Sequence, residues 1–513
     1  MRTVVGCGSI RLMKLEQLCA GLRHSRLEGR PAVREITDIT NDSRRVVPGG
    51  LYAALPGMHV DGHRFIGEAI GRGAAAILCE RTVDAGSGVA WLIADEARLA
   101  LSELADRFYG EPSRSIFVVG VTGTDGKTST VSFVHQLLGS LAGPSAFLST
   151  AAVQVGASEE PNLLHQSTPE APEVHRTLRH MIDAGARYAV LESTSHGLSR
   201  KTCRLAHVRY GAAVFTNLSH EHLEFHGTYE RYRDDKAALF RSLCPRTGDG
   251  QVEPFGVVNG DDPEAGYFAA ACAWPVLRYA IDAPCEFRAA DLRLETAESC
   301  FALHTPGGRA VCRLPVPGRF NVSNALAAAA TVAGICGSTA DELAAGIEQL
   351  RPVRGRMHVV QSAPFSVIVD YAHTPGSFES VLPFFRDHCD GRLIVVFGSA
   401  GERDVAKRPL QGRIADRYAD LIVLADEDPR GEDRRGILEQ IAAGCPHRSE
   451  GDDILIIPDR REAIGRAVAI ARPADTVLLL GKGHETTIIG PERAEPWDEI
   501  TVAEEELASA GYQ

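Results

Sequence analysis

The sequence predicts an α/β protein of three domains, and three observations carry that prediction. Short apolar runs that end in Gly, Asp, Asn or Glu alternate with stretches of helical spacing along most of the chain. The length, 513 residues, suits about three domains at roughly 150 residues each. One run, IFVVGVTGTDGKTST at 116–130, has the order strand, glycine loop, Lys-Thr, helix. That is the order a phosphate-binding loop needs. The expected architecture is a central P-loop ATPase-like parallel sheet, flanked by an N-terminal α/β domain and a C-terminal Rossmann-like domain. The boundaries fall at 1–112, 113–350 and 351–513, with 1–12 as an extension ahead of the first helix.

The phosphate loop carries the first functional inference. Ile116 to Val119 reads as a buried strand, broken by Gly120, Gly123 and Gly126, and helical spacing resumes from Ser129 to Leu138. Glycines let backbone N–H groups of Gly123, Thr124, Asp125 and Gly126 turn toward phosphate oxygens, and the helix start at Ser129 adds positive potential. Lys127 is placed to reach the outer phosphates of ATP, and the Thr128 hydroxyl to ligate Mg²⁺. The strict pattern G-x-x-x-x-G-K-[ST] is missed at its first position, which falls on Val121.

Composition bounds the rest. The formal charge of −13 argues against a nucleic-acid surface, so anionic ligands must be held by local cations and helix ends. Twelve cysteines occur singly, without a C-x-x-C pair. They read as buried reduced thiols of a cytoplasmic protein, Cys79 and Cys336 among them. The first residues, MRTVVGCGSIRLMKL, are too short an apolar run for a signal peptide or a membrane span. Small-molecule substrates, no nucleic acid, no membrane and a monomeric state are the expectations.

In the N-terminal part, ITDITNDSRRVVPGGLYAALPG has strand-like runs around a Pro-Gly-Gly turn at 48–50, and a helix is expected from about Leu99 to Phe108. In the middle part, ARYAVLEST reads as a buried strand ending in Glu192. AAVFTNLSHEHLEFH reads as a second, followed by His220, Glu221, His222, Glu224 and His226. Carbonyl ends of parallel strands line the usual ligand crevice, so Glu192 and His222 are placed to reach a Mg²⁺ bound with ATP. Zinc is the competing reading of HEHLEFH, which lacks H-E-x-x-H spacing. In YERYRDDKAALF, periodicity alone makes Lys236 a solvated lysine in an i,i+4 ion pair. In the last part, FSVIVD, RLIVVF, ADLIVLA and DTVLLL are strands with polar residues at their C-terminal ends, half of a doubly wound fold with its own crevice. GSAGERD and GKGHE are each weak as dinucleotide signatures.

Taken together, the motifs resemble the Mur ligase family, in its UDP-N-acetylmuramyl-tripeptide synthetase (MurE-type) branch. The resemblance runs from Thr40 to about Thr487. It rests on NDSRRVVPGGLYAALPG with DGHRFI, GVTGTDGKTST, STPEAPEVH, LESTSHGLSRKTCRL, FTNLSHEHLEFHGTYERYRDDK, PGRFNVSNALAA, RPVRGRM, DYAHTP, FGSAGERDVAKRP, DEDPRGED and GKGHE, in that order. It implies an ATP-dependent amide ligase. This enzyme would add a diamino acid (lysine, ornithine or diaminopimelate) to the D-Glu of UDP-N-acetylmuramoyl-L-Ala-D-Glu, through an acyl phosphate, in peptidoglycan precursor synthesis. Closure of the domains would precede chemistry.

Residue by residue, the resemblance implies that Lys127, Thr128 and Ser129 hold ATP, with Asn321 and Arg356 also near the nucleotide and Asp370 at the domain interface. Glu192 and His222 would complete the Mg²⁺ site. Lys236 matches a lysine the family carbamylates with CO₂, which replaces the solvated reading. Asn41, Ser43 and the 58–60 turn match contacts to the UDP moiety. Ser167, Thr168, Thr194, Arg200 and Arg204 match those to the muramoyl peptide. Arg403, Glu427, Asp428, Arg430, Gly481 and Glu485 match the pocket for the incoming amino acid. There this chain departs from relatives that add diaminopimelate: Glu427-Asp428-Pro429-Arg430 stands for Asp-Asn-Pro-Arg. Arg430 can still pair with a second substrate carboxylate. The added charge of Asp428 favours a bare ammonium, which puts lysine or ornithine slightly ahead. Folylpolyglutamate synthase shares the core, but it lacks a counterpart to the N-terminal motifs. A P-loop GTPase needs N-K-x-D, which does not occur here.

Overall fold

The computed structural model describes residues 12–29, 35–57, 60–83, 88–162, 167–219, 223–245 and 252–512. His222, Met58, His59 and most of the expected extension lie outside the described residues. The protein has the three-domain α/β architecture expected of the sequence. By compactness the chain groups into two units, Met1–Lys127, Val134–Tyr279 and Ala330–Gly337 in one, Thr128–Phe133, Ala280–Ala329 and Ser338–Gln513 in the other.

Among the described residues, the first unit holds an N-terminal sheet, the parallel strands of a central sheet and a two-stranded pair, Met13–Lys14 with Glu35–Ile36. In the N-terminal one, the strands Ala90–Ala94, Ala76–Cys79, Leu51–Ala53 and Ile39–Thr40 lie parallel in that order, with Ser25–Glu28 antiparallel at the edge. Where a helix was expected to begin, Met13 instead pairs in a short strand, and the helix runs over Leu15–Cys19.

In the central sheet the parallel strands are Ser145–Leu148, Tyr188–Glu192, Phe117–Thr122, Ala212–Phe215, Phe255–Asn259 and Val276–Ala280, in that spatial order. Val118, Val119, Val190, Val214 and Val257 are buried completely, as strands with helices on both faces require. The strand carrying the phosphate loop lies between Tyr188–Glu192 and Ala212–Phe215. The ends of those two neighbours therefore flank the loop. Gly120 on that strand has no room for a side chain: a Cβ there would sit 2.6 Å from Leu239 and 2.7 Å from Tyr210.

The helices Ala97–Phe108 and Ala171–Asp183 of these two parts pack together, and the second is tied by ion pairs and a hydrogen bond to the N-terminal part. Arg176 donates to Asp38 at 2.7 Å and to the Tyr109 hydroxyl at 2.8 Å, and Arg45 pairs with Glu173 at 2.7 Å.

The second unit contains the strands His358–Gln361, Ser366–Asp370, Thr476–Leu480, Leu393–Phe397, Leu421–Leu424 and Ile454–Ile456. The first pair is antiparallel and the others parallel. The four strands expected from the sequence form its centre. A fully buried Arg460 stitches this domain to its last helix, Glu499–Ser509. Its guanidinium binds the Glu499 carboxylate at 2.6 Å and the carbonyls of Asp426 and Leu480 at 3.0 and 2.8 Å. The same unit has an antiparallel meander, Phe287–Leu294, Ser299–Thr305 and Gly308–Leu314, that the sequence did not reveal.

All cysteines among the described residues are free; Cys79 is buried, but Cys336, at the end of its helix, is exposed. No described helix is long and apolar enough to cross a membrane.

Candidate active site

The phosphate loop is strapped to the neighbouring strand. Thr216, just beyond Ala212–Phe215, donates from its hydroxyl to the Asp125 carbonyl at 2.6 Å. Asn217 accepts from the backbone N–H of Thr124 through its carbonyl at 2.8 Å, and from that of Asp125 through its side-chain oxygen at 2.9 Å. The loop's shape depends on Gly123 (φ +150°) and Gly126 (φ +79°). A Cβ on Gly123 would lie 1.9 Å from the Thr216 hydroxyl oxygen. Gly126 is the N-cap of the helix Lys127–Leu141 and supplies no side-chain cap. The start of that helix carries the positive end of its dipole, which favours an anion. Lys127 folds back over the loop and donates to the Thr124 carbonyl at 2.7 Å. Thr128 and Ser129 are buried in that first turn.

Glu192 ends its strand buried. Its two oxygens accept from the backbone N–H and the hydroxyl of Thr150, each at 2.8 Å. Thr150 was not singled out in the sequence; its signal is a Ser-Thr pair just past the strand Ser145–Leu148. The solvated reading of Lys236 is overturned. The side chain is 2 % exposed on the helix Tyr229–Arg241, and Nζ donates to the Gly123 carbonyl at 2.5 Å. Its ammonium also lies 4.5 Å from the centroid of the Tyr232 ring. Burial places this lysine on the inner face of the helix, where its amine meets the phosphate loop instead of water.

Around the expected muramoyl-peptide residues, Thr168 is buried and donates to the Glu192 carbonyl at 3.0 Å, with Thr194 2.9 Å away. Ser167 is half-buried beside it. Arg204 binds the Thr168 carbonyl at 2.9 Å and the Glu170 carboxylate at 2.7 Å, whereas Arg200 is exposed. Asn41 is half-buried, and Ser43 is buried with its hydroxyl donating to Glu68 at 2.8 Å.

In the second unit, Asn321 is buried near the start of its helix. It donates to the Pro317 carbonyl at 2.8 Å and accepts from Asn324, which in turn accepts from Thr130 at 3.2 Å. Asp370 accepts from the N–H groups of Met357 and Ala372 at 2.8 Å each, fixing both loop starts. The Arg356 guanidinium lies 4.4 Å over Tyr371. The rings of His373 and His484 lie 4.5 and 4.7 Å from the same tyrosine. Burial, with Lys407 second, lowers His373 to about 4; burial, with Arg356 second, lowers His484 to about 3. Both rings are therefore neutral at neutral pH.

Among the expected acceptor residues, Asp428, Glu427, Gly481 and Glu485 gather around a lysine the sequence reading had not assigned. Lys482 is fully buried, pairs with Asp428 at 2.9 Å and also binds Glu485. Burial would lower its pKa, but the two carboxylates outweigh that and raise it. The Ile489 N–H joins Lys482 on the same oxygen of Asp428, Oδ1. The buried Glu427 carboxyl lies 3.5 Å from where a Cβ on Gly481 would sit, and burial pushes its pKa up. Tyr371 donates to Glu485 at 3.2 Å. Arg430 has φ +54° and donates its N–H to the Ile489 carbonyl at 2.9 Å. Arg403 is exposed.

A strapped phosphate loop on a parallel sheet, with a buried carboxylate and a buried lysine beside it, defines an α/β phosphate-loop enzyme. Comparison with known proteins narrows this. Family models described as "Mur ligase family, catalytic domain", "Mur ligase middle domain" and "Mur ligase, glutamate ligase domain" match residues 35–109, 121–332 and 355–483. The chain is 47% identical over 493 residues to a UDP-N-acetylmuramyl-tripeptide synthetase of Roseiflexus sp. (strain RS-1), covering 94% of this chain and 96% of that one. It is 38% identical over 479 residues to a UDP-N-acetylmuramoyl-L-alanyl-D-glutamate--2,6-diaminopimelate ligase of Geobacillus kaustophilus (strain HTA426), covering 93% and 96%. A solved structure of a ligase of that last name superposes with a TM-score of 0.65 at 28% identity, over 98% of this chain and 100% of that one. The chain belongs to the Mur ligase family.

Proposed function

We propose that the protein is an ATP-dependent ligase that adds a basic diamino acid to the D-Glu side chain of UDP-N-acetylmuramoyl-L-Ala-D-Glu, in peptidoglycan precursor synthesis in the cytoplasm. The observation that carries this is the buried Lys236 bonded to the Gly123 carbonyl of the phosphate loop, in a chain 47% identical to a tripeptide synthetase. A carboxylate repels amines and has no good leaving group. Transfer of the γ-phosphoryl of ATP makes it an acyl phosphate, which an amine can attack. Such transfer needs positioning and charge neutralisation more than covalent help. Lys127 and the N-terminal end of its helix hold the phosphates. Exclusion of water protects the acyl phosphate.

The donor set supports Mg²⁺. The hydroxyl of Thr128 and the carboxylate of Glu192 are hard oxygen donors, and His222 is the further candidate. When bound, the ion offsets the charge of the phosphates and the substrate carboxylate. Once the Lys236 ammonium has given up one proton, addition of CO₂ to the neutral amine would form an N–C bond and release a second, leaving a carbamate whose oxygens would serve a second Mg²⁺. Asn321 and Arg356 serve the nucleotide, and Asn41, Ser43, Ser167, Thr168, Thr194 and Arg204 serve the UDP-muramoyl dipeptide.

For the acceptor, Arg403, Glu427, Arg430, Gly481 and Glu485 form the pocket, with Asp428 reading the far end. Lys482 and the Ile489 N–H both bond Asp428 at Oδ1; a carboxylate here supports an ammonium on the substrate, and with it lysine or ornithine slightly ahead of diaminopimelate. The test is phosphate release by purified protein with ATP, Mg²⁺ and the muramyl dipeptide, with lysine, ornithine and diaminopimelate supplied in turn. No release with any of the three would remove the proposal.

A further inference from the structure

We infer that His226 is a positioning residue that locks the helix of Lys236 against the phosphate loop, through Ser195 on one side and Asp235 on the other. The imidazole is 1 % exposed. Its Nδ1 lies 2.7 Å from the Asp235 carboxylate, and its Nε2 lies 3.0 Å from the Ser195 hydroxyl. Asp235 directly precedes Lys236 on the helix Tyr229–Arg241. Ser195 opens the short helix Ser195–Leu198, three residues after Glu192. One ring therefore ties the segment that follows the carboxylate to the helix that carries the lysine. An acceptor at Nδ1 fixes the tautomer and the ring plane, so the ring can act as a rigid strut.

Two further contacts make the strut continuous with the loop. The His226 ring lies 5.1 Å from that of Tyr232, one turn before Lys236. The Tyr232 hydroxyl is 3.0 Å from the Thr124 hydroxyl of the phosphate loop, which also accepts from the Ser219 N–H at 2.9 Å. The backbone at Phe225 is held from the same side as Ser195. Lys201 donates to the Phe225 carbonyl at 2.6 Å, and the His196 ring lies 4.1 Å from the Phe225 ring.

A Ser-His-Asp hydrogen-bonded chain is also the arrangement of a hydrolase nucleophile. That reading is set aside because Ser195 is 2 % exposed, inside the packed region between Thr168 and His226. A hydroxyl that no substrate reaches can orient but cannot attack.

The inference rests on the ligase reading for its catalytic readout, and on hydrogen exchange for an independent one. The variants are Ser195→Ala, Asp235→Asn and His226→Asn, with Ser195→Thr as the conservative control. Expected are faster amide exchange over the Tyr229–Arg241 helix and a fall in kcat of about tenfold, the usual effect of losing an orienting partner. KM for ATP stays within about twofold, because the phosphate contacts of Lys127 are untouched. Ser195→Thr restores kcat. The double variant Ser195→Ala/Asp235→Asn loses less than the product of the single losses, since both act through one ring. Unchanged exchange in the helix, or wild-type kcat in both Ser195→Ala and Asp235→Asn, overturns the inference. A wild-type protein that makes no amide but shows the exchange difference overturns the ligase reading and keeps the strut.

Discussion

Lys236 donates from Nζ to the carbonyl of Gly123, 113 positions earlier in the chain and 2.5 Å away. A buried ammonium on a carbonyl of the phosphate loop is a costly arrangement unless its position is used. Lys236→Ala is expected to lower the rate of amide synthesis by roughly 10²–10³-fold, the scale of losing one electrostatic contact to the transition state. Short carboxylic acids supplied in solution would restore part of the rate by standing in for the carbamate. A Lys236→Ala protein as fast as wild type, with no response to added acids, argues against the carbamate.

Thr150 holds both oxygens of Glu192. Thr150→Val keeps the shape and the backbone bond but removes the hydroxyl. The expected result is a kcat lower by about tenfold and a higher Mg²⁺ requirement, measured by titrating the metal at saturating ATP. An unshifted metal titration would mean that the orientation of Glu192 does not depend on that hydroxyl.

Gly123→Ala brings a methyl to 1.9 Å from the Thr216 oxygen at a backbone angle that L-residues rarely adopt. The loop must leave its strap or the strand end must move. The cost is on the order of 1–3 kcal/mol from overpacking, plus the backbone term. Nucleotide binding measured by calorimetry should fall well before thermal unfolding shifts, because the collision lies within the loop itself.

Lys482 and Asp428 make the acceptor preference testable. Asp428→Asn removes the charge offered to a substrate ammonium. It should raise kcat/KM for diaminopimelate relative to lysine and ornithine, by about tenfold for each 1.4 kcal/mol of charge attraction removed. Arg430→Ala should act in the opposite direction. Competition assays with the three amino acids report both, and an Asp428→Asn protein with the wild-type ratio would deny Asp428 the reading role.

The neutral rings of His373 and His484 give the C-terminal domain a pH dependence. Burial holds their folded pKa values near 4 and 3, below the value of about 6.5 in an unfolded chain. Between these limits the unfolded state binds more protons, so their contribution is complete above pH 6.5 and is lost as pH falls toward 4 and then 3. Each ring contributes up to about 1.4 kcal/mol per pH unit. Urea unfolding of wild type and His373→Gln should therefore show a larger stability difference at pH 7.5 than at pH 5.

Local features were legible in the sequence. The runs FVVGV, YAVLE and LIVVF announced buried strands because β-branched residues fit a sheet covered on both faces, and the glycine loop was legible from its place between a strand and a helix, though the strict spacing fails at Val121. Half-buried strands were not legible. FRAADLRL and GRAVCRL mix charged with apolar residues and carried no strand expectation, yet they pair in a meander. The support of the site was also hidden, because it is made at long range. Thr150 meets Glu192 across 42 positions and Lys482 meets Asp428 across 54. On periodicity Lys236 reads as solvated because its neighbours Arg233, Asp234 and Asp235 are charged; the resemblance replaces that reading, and the packed helix has the side chain facing inward.

The pairing of Arg460 with Glu499 makes the C-terminal sheet domain depend on one helix for its charge balance. The guanidinium is fully buried, and its counter-charge comes from the helix Glu499–Ser509, 39 positions later. Without Glu499 the domain would enclose an unmatched cation, a penalty of about 3–5 kcal/mol. Detaching that helix would therefore open the domain around Arg460 rather than leave a trimmed but intact sheet.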